Sequence, residues 1–203
     1  MAQSETEVRD LIVHYGKELY DRHLTDAAGG NISVRVGDIL LITPRYAGNL
    51  YHWDLRPEQI LTLDLQGTKL GGEGEISRES KVHLKLLTEF YPEGTAVIHS
   101  HSRNVLVFCA AIKPMPPVLH ATEKFGDIIQ VPDKPAHSQE LADVVADGLR
   151  PQISRLARGA VAVMAPKHGL VTLAKDLAIA FDSVERIDTN AYCILHAGAI
   201  GGL

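Results

Sequence analysis

Cysteine is scarce in this chain. Cys109 and Cys193 are the only two among 203 residues, each within an apolar helical pattern. That usage excludes a disulfide framework or a thiolate metal site, and predicts two buried thiols in a reducing compartment. Long apolar runs are missing as well. No stretch reaches the 18 residues of a membrane-spanning helix. Positive charge is not in excess: the net charge of −5 and the pI near 6.0 speak against a nucleic-acid binder, which would carry a basic face. Met1 to Asp10 is polar and acidic, unlike a secretory signal, so the expected location is cytoplasmic. Repeats, low-complexity tracts and linkers are also lacking. With 45% hydrophobic residues, the chain reads as one domain over residues 1–203 with one substantial core.

Histidine, by contrast, is plentiful, with ten copies. Two of them close the stretch Ala96-Val97-Ile98-His99-Ser100-His101-Ser102. Thr95 to Ile98 is small, β-branched and apolar, the pattern of a buried strand. If the strand continues, its period of two places His99 and His101 on one face, with Cα atoms roughly 6–7 Å apart. Two neutral imidazoles at that spacing can converge on a divalent ion. They can equally be two polar residues at a strand end, satisfied by solvent or backbone, so a third ligand is needed.

Periodicity orders the rest. Val8, Leu11, Ile12, Tyr15 and Leu19 predict an amphipathic helix over about Glu5 to His23. Asn31–Arg35 and Ile39–Thr43 read as a hairpin, followed by a loop holding Trp53 and a strand over Ile60–Leu65. Gly67, Gly71, Gly72 and Gly74 make the next connection flexible. Helices are expected from Arg78 to about Tyr91 with Ser77 as cap, from Arg103 to Ala111, from Ser138 to Leu149, briefly after Pro151, and from Asp176 to about His196. Further strands are expected at Ile128–Val131, Ala160–Ala165 and Leu170–Leu173. This mixture predicts an α/β fold, with helices on the faces of a mixed or largely antiparallel sheet.

Several residues could join the histidine pair. His168, on a short loop between two apolar strands, would complete three nitrogen ligands and leave a position open, as catalytic sites do. Glu79, in the first turn of its helix, can complement the helix dipole or shuttle a proton beside a bound hydroxy-carbonyl group. Gly29-Gly30-Asn31 can form a nest of N–H groups for phosphate or carboxylate. Thr43 with Arg45, and Ser77 with Arg78, add hydroxyls and guanidinium groups for an anion, unless the arginines are solvated surface charges.

Five segments in order resemble the class II aldolase/adducin family: Gly30-Asn31-Ile32-Ser33-Val34-Arg35, Ile42-Thr43-Pro44, Ser77-Arg78-Glu79, Val97-Ile98-His99-Ser100-His101-Ser102 and His168-Gly169. The resemblance implies a three-layer α/β/α sandwich on a mainly antiparallel sheet, often a homotetramer with active sites between subunits. It implies His99, His101 and His168 as metal ligands, and Glu79 as the acid/base and in some states a fourth ligand. Gly30, Asn31, Thr43 and Ser77 fall where the family holds a substrate's phosphate. The metal is usually zinc; relatives also use manganese, cobalt or iron.

Two small hydroxyls of the family pattern are replaced here. Thr-Pro-Ser-Gly becomes Thr43-Pro44-Arg45-Tyr46, and Ser-Ser-Glu becomes Ser77-Arg78-Glu79. A guanidinium cannot take a serine's place without reshaping the pocket; it suits a carboxylate, or a phosphate held further out. The tyrosine that some aldolases supply from a C-terminal tail has no counterpart near Gly201-Gly202-Leu203, and Tyr192 sits within the last helix. The expected activity is metal-dependent C–C cleavage of a small phosphorylated or carboxylated hydroxy-ketone or sugar through an enediolate. Decarboxylation, dehydration or epimerisation by the same chemistry is the alternative, and a non-catalytic adducin-like interaction domain the rival from another class.

Overall fold

A computed structural model describes residues 4–202. Of the stretches discussed above, residues 1–3 of the polar N-terminal segment and Leu203 lie outside the described residues. The chain opens with α1 (Glu5–Asp21), whose Ser4 and Glu7 form a reciprocal capping box and whose Val8, Ile12 and Leu19 are buried. The hairpin β1 (Asn31–Val36) and β2 (Ile39–Ile42) follows, then a short helix α2 (Ala47–Tyr51) and β3 (Leu61–Asp64). Next come β4 (Lys69–Gly71), α3 (Ser80–Glu89), β5 (Ala96–Ser100) and α4 (Arg103–Ala111). The chain then runs through α5 (Gln139–Leu149), the hairpin β6 (Ala160–Ala165) and β7 (Gly169–Ala174), and α6 (Leu177–Ala197).

The strands make one seven-stranded sheet in the order β4-β3-β2-β1-β5-β7-β6. Every neighbouring pair is antiparallel. Alternation along the strands divides the apolar side chains between two cores. Ile32, Val34, Ala96 and Ile98 pack with Val8, Ile12, Phe108, Phe181 and Val184, from α1, α4 and α6. Leu40, Ile42, Val97 and Leu173 pack with Val82, Leu86, Leu141 and Val145, from α3 and α5. The result is the expected α/β/α sandwich. Asn31, Ser33 and His99 alternate with the first set, so they fall on the α3 side of the sheet, and Asn31 stands directly opposite His99 in the register of β1 and β5.

Several local expectations need correction. Helix α3 starts at Ser80, with Glu79 at its N-cap position and Ser77 two residues earlier, so Glu79 is not in the first turn. The strand holding the histidine pair ends at Ser100, leaving His101 beyond it. Ile128–Val131 is not a strand: only single bridges, Met115–Ile128 and Gln130–Met164, form there. The turns after Pro151 belong to a 3-10 helix over Arg150–Arg158. Lys69–Gly71 pairs as an edge strand where glycines suggested only a flexible connection. Cys109 is buried as expected, but Cys193 only partly so.

Candidate metal centre

Each of the three histidines is delivered by a different device. His99 lies in the last paired part of β5, and its Nδ1 is 3.0 Å from the Leu170 carbonyl. A carbonyl only accepts, so Nδ1 carries the proton and Nε2 presents its lone pair to the opposite side. His101, just past the strand, has its Nδ1 3.1 Å from Asp26 Oδ1, which assigns it the same tautomer. Asp26 is itself held by the backbone N–H groups of Ala28 and Gly29, at 2.9 and 3.1 Å. His168 comes from the turn between β6 and β7. Ring centroids of the three lie 4.7–5.8 Å apart, and one ring nitrogen from each falls within 4.8 Å of the others.

Glycines shape the space around these rings. A Cβ on Gly29 would sit 2.3 Å from His101 Cε1, and one on Gly169 would meet His99 Cε1 at 3.0 Å and the Ser100 carbonyl at 2.5 Å. Gly30 has φ +94°, a left-handed conformation in which a side chain would be strained.

Glu79 is almost fully buried. Its Oε2 is 3.9 Å from His99 Nε2 and its Oε1 is 3.4 Å from His168 Nε2. Oε1 also lies 2.8 Å from Nδ1 of His137, off line for a hydrogen bond. Half of the buried side-chain polar atoms without a hydrogen-bond partner among the described residues meet here: Glu79 Oε1, His99 Nε2, His101 Nε2 and His137 Nδ1. Unpaired buried polar atoms are costly, and a cluster of them beside three converging imidazoles fits a bound cation. Burial, reinforced by the neighbouring imidazoles, pushes His99 well below the usual histidine range. Burial also lowers His168, although the Glu79 charge opposes it. Neutral imidazoles are what a metal requires. The donor set, nitrogen with one carboxylate, suits zinc and its first-row neighbours.

These groups line one cavity of about 280 Å³. All of the candidate site residues except Thr43 line it. Thr43 is fully buried, and its hydroxyl accepts from the Ile32 N–H at 3.1 Å, so it braces the β1–β2 hairpin. Gly30, Asn31 and Ser77 stand together at one end, where Asn31 Nδ2 donates to Ser77 Oγ at 3.2 Å. Arg45 lies at the rim, paired with Glu75 at 2.8 Å and stacked over the Tyr46 ring at 4.3 Å. Tyr46 has φ +67°, occupying the backbone position where the family pattern has glycine. Arg78 is exposed at the mouth and makes no ion pair among the described residues. Sequence reasoning missed Asp26 and His137. The run Asp26-Ala27-Ala28-Gly29 carries a weak Asx-turn signal for the first. No spacing pointed to His137, which stands before the Ser138 cap with φ +68°.

No helix of the described residues is long and apolar enough to cross a membrane. Residues 10–195 match the class II aldolase and adducin N-terminal domain family. The chain is 28% identical over 196 residues to a 5-deoxy-D-ribulose 1-phosphate aldolase of Bacillus thuringiensis serovar kurstaki, covering 95% of this chain and 86% of that protein. It is 27% identical over 191 residues to a 3-oxo-tetronate 4-phosphate decarboxylase of Haemophilus influenzae, covering 90% and 84%. A solved L-fuculose 1-phosphate aldolase superimposes with a TM-score of 0.83 at 26% identity, over 99% of this chain and 90% of that one. The chain belongs to the class II aldolase and adducin N-terminal domain family, as an enzyme of the metal-dependent aldolase type.

Proposed function

We propose that this enzyme cleaves a C–C bond of a small hydroxy-ketone or sugar bearing a phosphate, with a divalent metal, zinc foremost, held by His99, His101 and His168. The observation that carries this reading is the convergence of three imidazole nitrogens and the buried Glu79 carboxylate on one cavity. When bound, the ion supplies Lewis acidity, drawing electron density from the substrate's oxygens as the carbon–carbon bond breaks. Glu79 takes the proton from the substrate hydroxyl as that bond opens, and returns one to the carbon that is left electron-rich. Its near-complete burial keeps bulk water away from that exchange. Asn31, Ser77 and the Gly30 backbone hold the anionic end, with Arg45 and Arg78 adding positive charge at the mouth. We extend the proposal to a homotetramer, as the family resemblance implies, and to a cytoplasmic location, which the sparse cysteine supports; the exposed Tyr192 and Leu195 on α6 support a surface that associates.

The same groups can serve decarboxylation of a carboxylated sugar phosphate. The two arginines favour that second reading, because each can pair with a carboxylate, and a relative at 27% identity carries that activity in its name. The test begins with metal content by elemental analysis of native protein and His99→Ala. About one divalent ion per native chain, lost in the variant, sustains the proposal; no ion in either after reconstitution with zinc, manganese and cobalt refutes it. Sugar phosphates and their acid analogues are then screened, with aldehyde release indicating aldol cleavage and carbon dioxide release indicating decarboxylation. Glu79→Gln is expected to keep its metal and lose about 10²–10⁴ in rate.

A further inference from the structure

Behind the Asn31–Ser77 end of the cavity, a chain of hydrogen bonds runs back into the sheet. Ser33 of β1 and His83 of α3 are both fully buried, and Ser33 Oγ is hydrogen-bonded to His83 Nδ1. The other ring nitrogen, Nε2, meets Asn31 Oδ1. Asn31 Nδ2 donates to Ser77 Oγ at 3.2 Å, and the Glu79 N–H reaches that hydroxyl at 3.3 Å. Asn31 and Ser77 line the cavity; Ser33 and His83 do not.

This chain can be polarised in two directions. Burial pushes His83 down to about 3, so the ring is neutral and carries a single N–H. With the proton on Nε2, the Ser33 O–H donates to Nδ1 and Nε2–H donates to Asn31 Oδ1. The Asn31 amide then turns its N–H groups towards Ser77 and the cavity, and the Ser77 O–H is left free to donate as well. With the proton on Nδ1 everything reverses. The amide flips to offer His83 an N–H, Ser77 donates to the amide oxygen, and a carbonyl faces the cavity. Ser33 decides between them. Among the described residues its Oγ has no other partner than His83. In the reversed arrangement its buried O–H has no acceptor and bears the full cost of desolvation. In the first arrangement every hydrogen between Ser33 and Asn31 Oδ1 is used.

We propose that Ser33 and His83 are positioning residues that fix the Asn31 amide with its donors towards the cavity, making that end of the site selective for an anionic oxygen group. The inference rests on the reading that this end holds the substrate's anion, and adds the device that sets its polarity. Phosphate and carboxylate share the required chemistry, an oxyanion that accepts N–H and O–H bonds.

The test uses the full metal-loaded chain, with inorganic phosphate and malonate as separate calorimetric probes that distinguish the two sources of anion. Long-range ¹H–¹⁵N spectra of histidine-labelled protein, with the His83 signal assigned by its loss in His83→Gln, report the tautomer. The expected result is Nε2–H in the wild type and loss of that single tautomer preference in Ser33→Ala. Phosphate or malonate affinity should fall about 5–30-fold in His83→Phe, the worth of one or two hydrogen bonds. It should return most of the way in His83→Gln, whose amide can still donate to Asn31, with metal content unchanged throughout. Should His83→Phe fail to fold, Ser33→Ala carries the test, with a loss of about 3–10-fold for one bond. An Nδ1–H tautomer overturns the proposal, as does wild-type anion affinity in the folded variants. A wild type that holds metal but neither anion removes the reading beneath it as well, and leaves the metal centre standing.

Discussion

Gly29→Ala separates the geometry of the metal centre from the stability of the fold. Gly29 is not among the positive-φ glycines, so alanine is compatible with its backbone and the perturbation is one methyl group. That methyl carbon would lie 2.3 Å from His101 Cε1 and 2.8 Å from Nε2. Non-bonded carbons rest at about 3.5–4.0 Å, so the ring must withdraw by rather more than 1 Å. It cannot do so freely, because its Nδ1 is tied to Asp26, which is tied in turn to the Ala28 and Gly29 N–H groups. A metal–nitrogen bond of about 2.0–2.1 Å tolerates only about 0.2 Å of displacement. Losing His101 as a ligand should therefore cost at least the 10–100-fold in affinity that outer-shell partners carry, about 1.4–2.8 kcal/mol. Zinc affinity measured against a chromophoric chelator checks this, with Gly198→Ala as a steric control, since no atom lies within 4 Å of a Cβ there and its φ is −58°. Circular dichroism and the unfolding transition of the metal-free protein should be unchanged in Gly29→Ala. Native zinc affinity in the folded variant would refute the assignment of His101 as a ligand held by this loop.

The folded pKa of His83 near 3 makes a prediction about acid stability. Between pH 6.5 and 3 the unfolded chain binds a proton there that the folded chain does not, so stability falls as pH drops. About 2 kcal/mol should be lost between pH 7 and 5 from this group, and urea unfolding of metal-free protein should show His83→Gln with a correspondingly flatter pH profile. His137→Ala removes the closest neighbour of Glu79 Oε1 and should lower turnover about tenfold with metal content intact; unchanged turnover would make His137 a bystander. Cys109, buried and pushed up to about 12, should resist alkylation in native protein while the half-buried Cys193 reacts, and peptide mass mapping before and after unfolding would show which thiol is modified.

Much of the fold was legible because its signals are local. The 3.6-residue spacing of Val8, Ile12 and Leu19 and the caps Ser138 and Asp176 predict helices that the structure contains. The apolar run of β6, and that of β7 broken only by the buried Thr172, suit strands buried on both faces. What failed locally was decided by tertiary partners. Ile128–Val131 has the composition of a strand, but it meets only one residue on each of two different segments and cannot form a ladder. Lys69–Gly71 has poor strand composition, yet β3 offers it an open edge.

The candidate site divides along the same line. A His-x-His pair, a His-Gly turn and an acidic residue beside a cap are written in short segments, and the family resemblance links them. Their supports are not written that way. Asp26 is 75 residues from the histidine it orients, the Leu170 carbonyl is 71 from His99, and His137 reaches Glu79 from the far side of the α5 cap. No periodicity reports such pairings, because each depends on how two loops meet at the end of the sheet. Thr43 shows the converse. Its place in a motif suggested an anion ligand, but a hydroxyl that follows β2 directly has a nearer use, accepting from the Ile32 N–H across the hairpin. A motif thus identifies which residues cluster at the site, while the direction of each hydrogen bond decides which of them face the substrate.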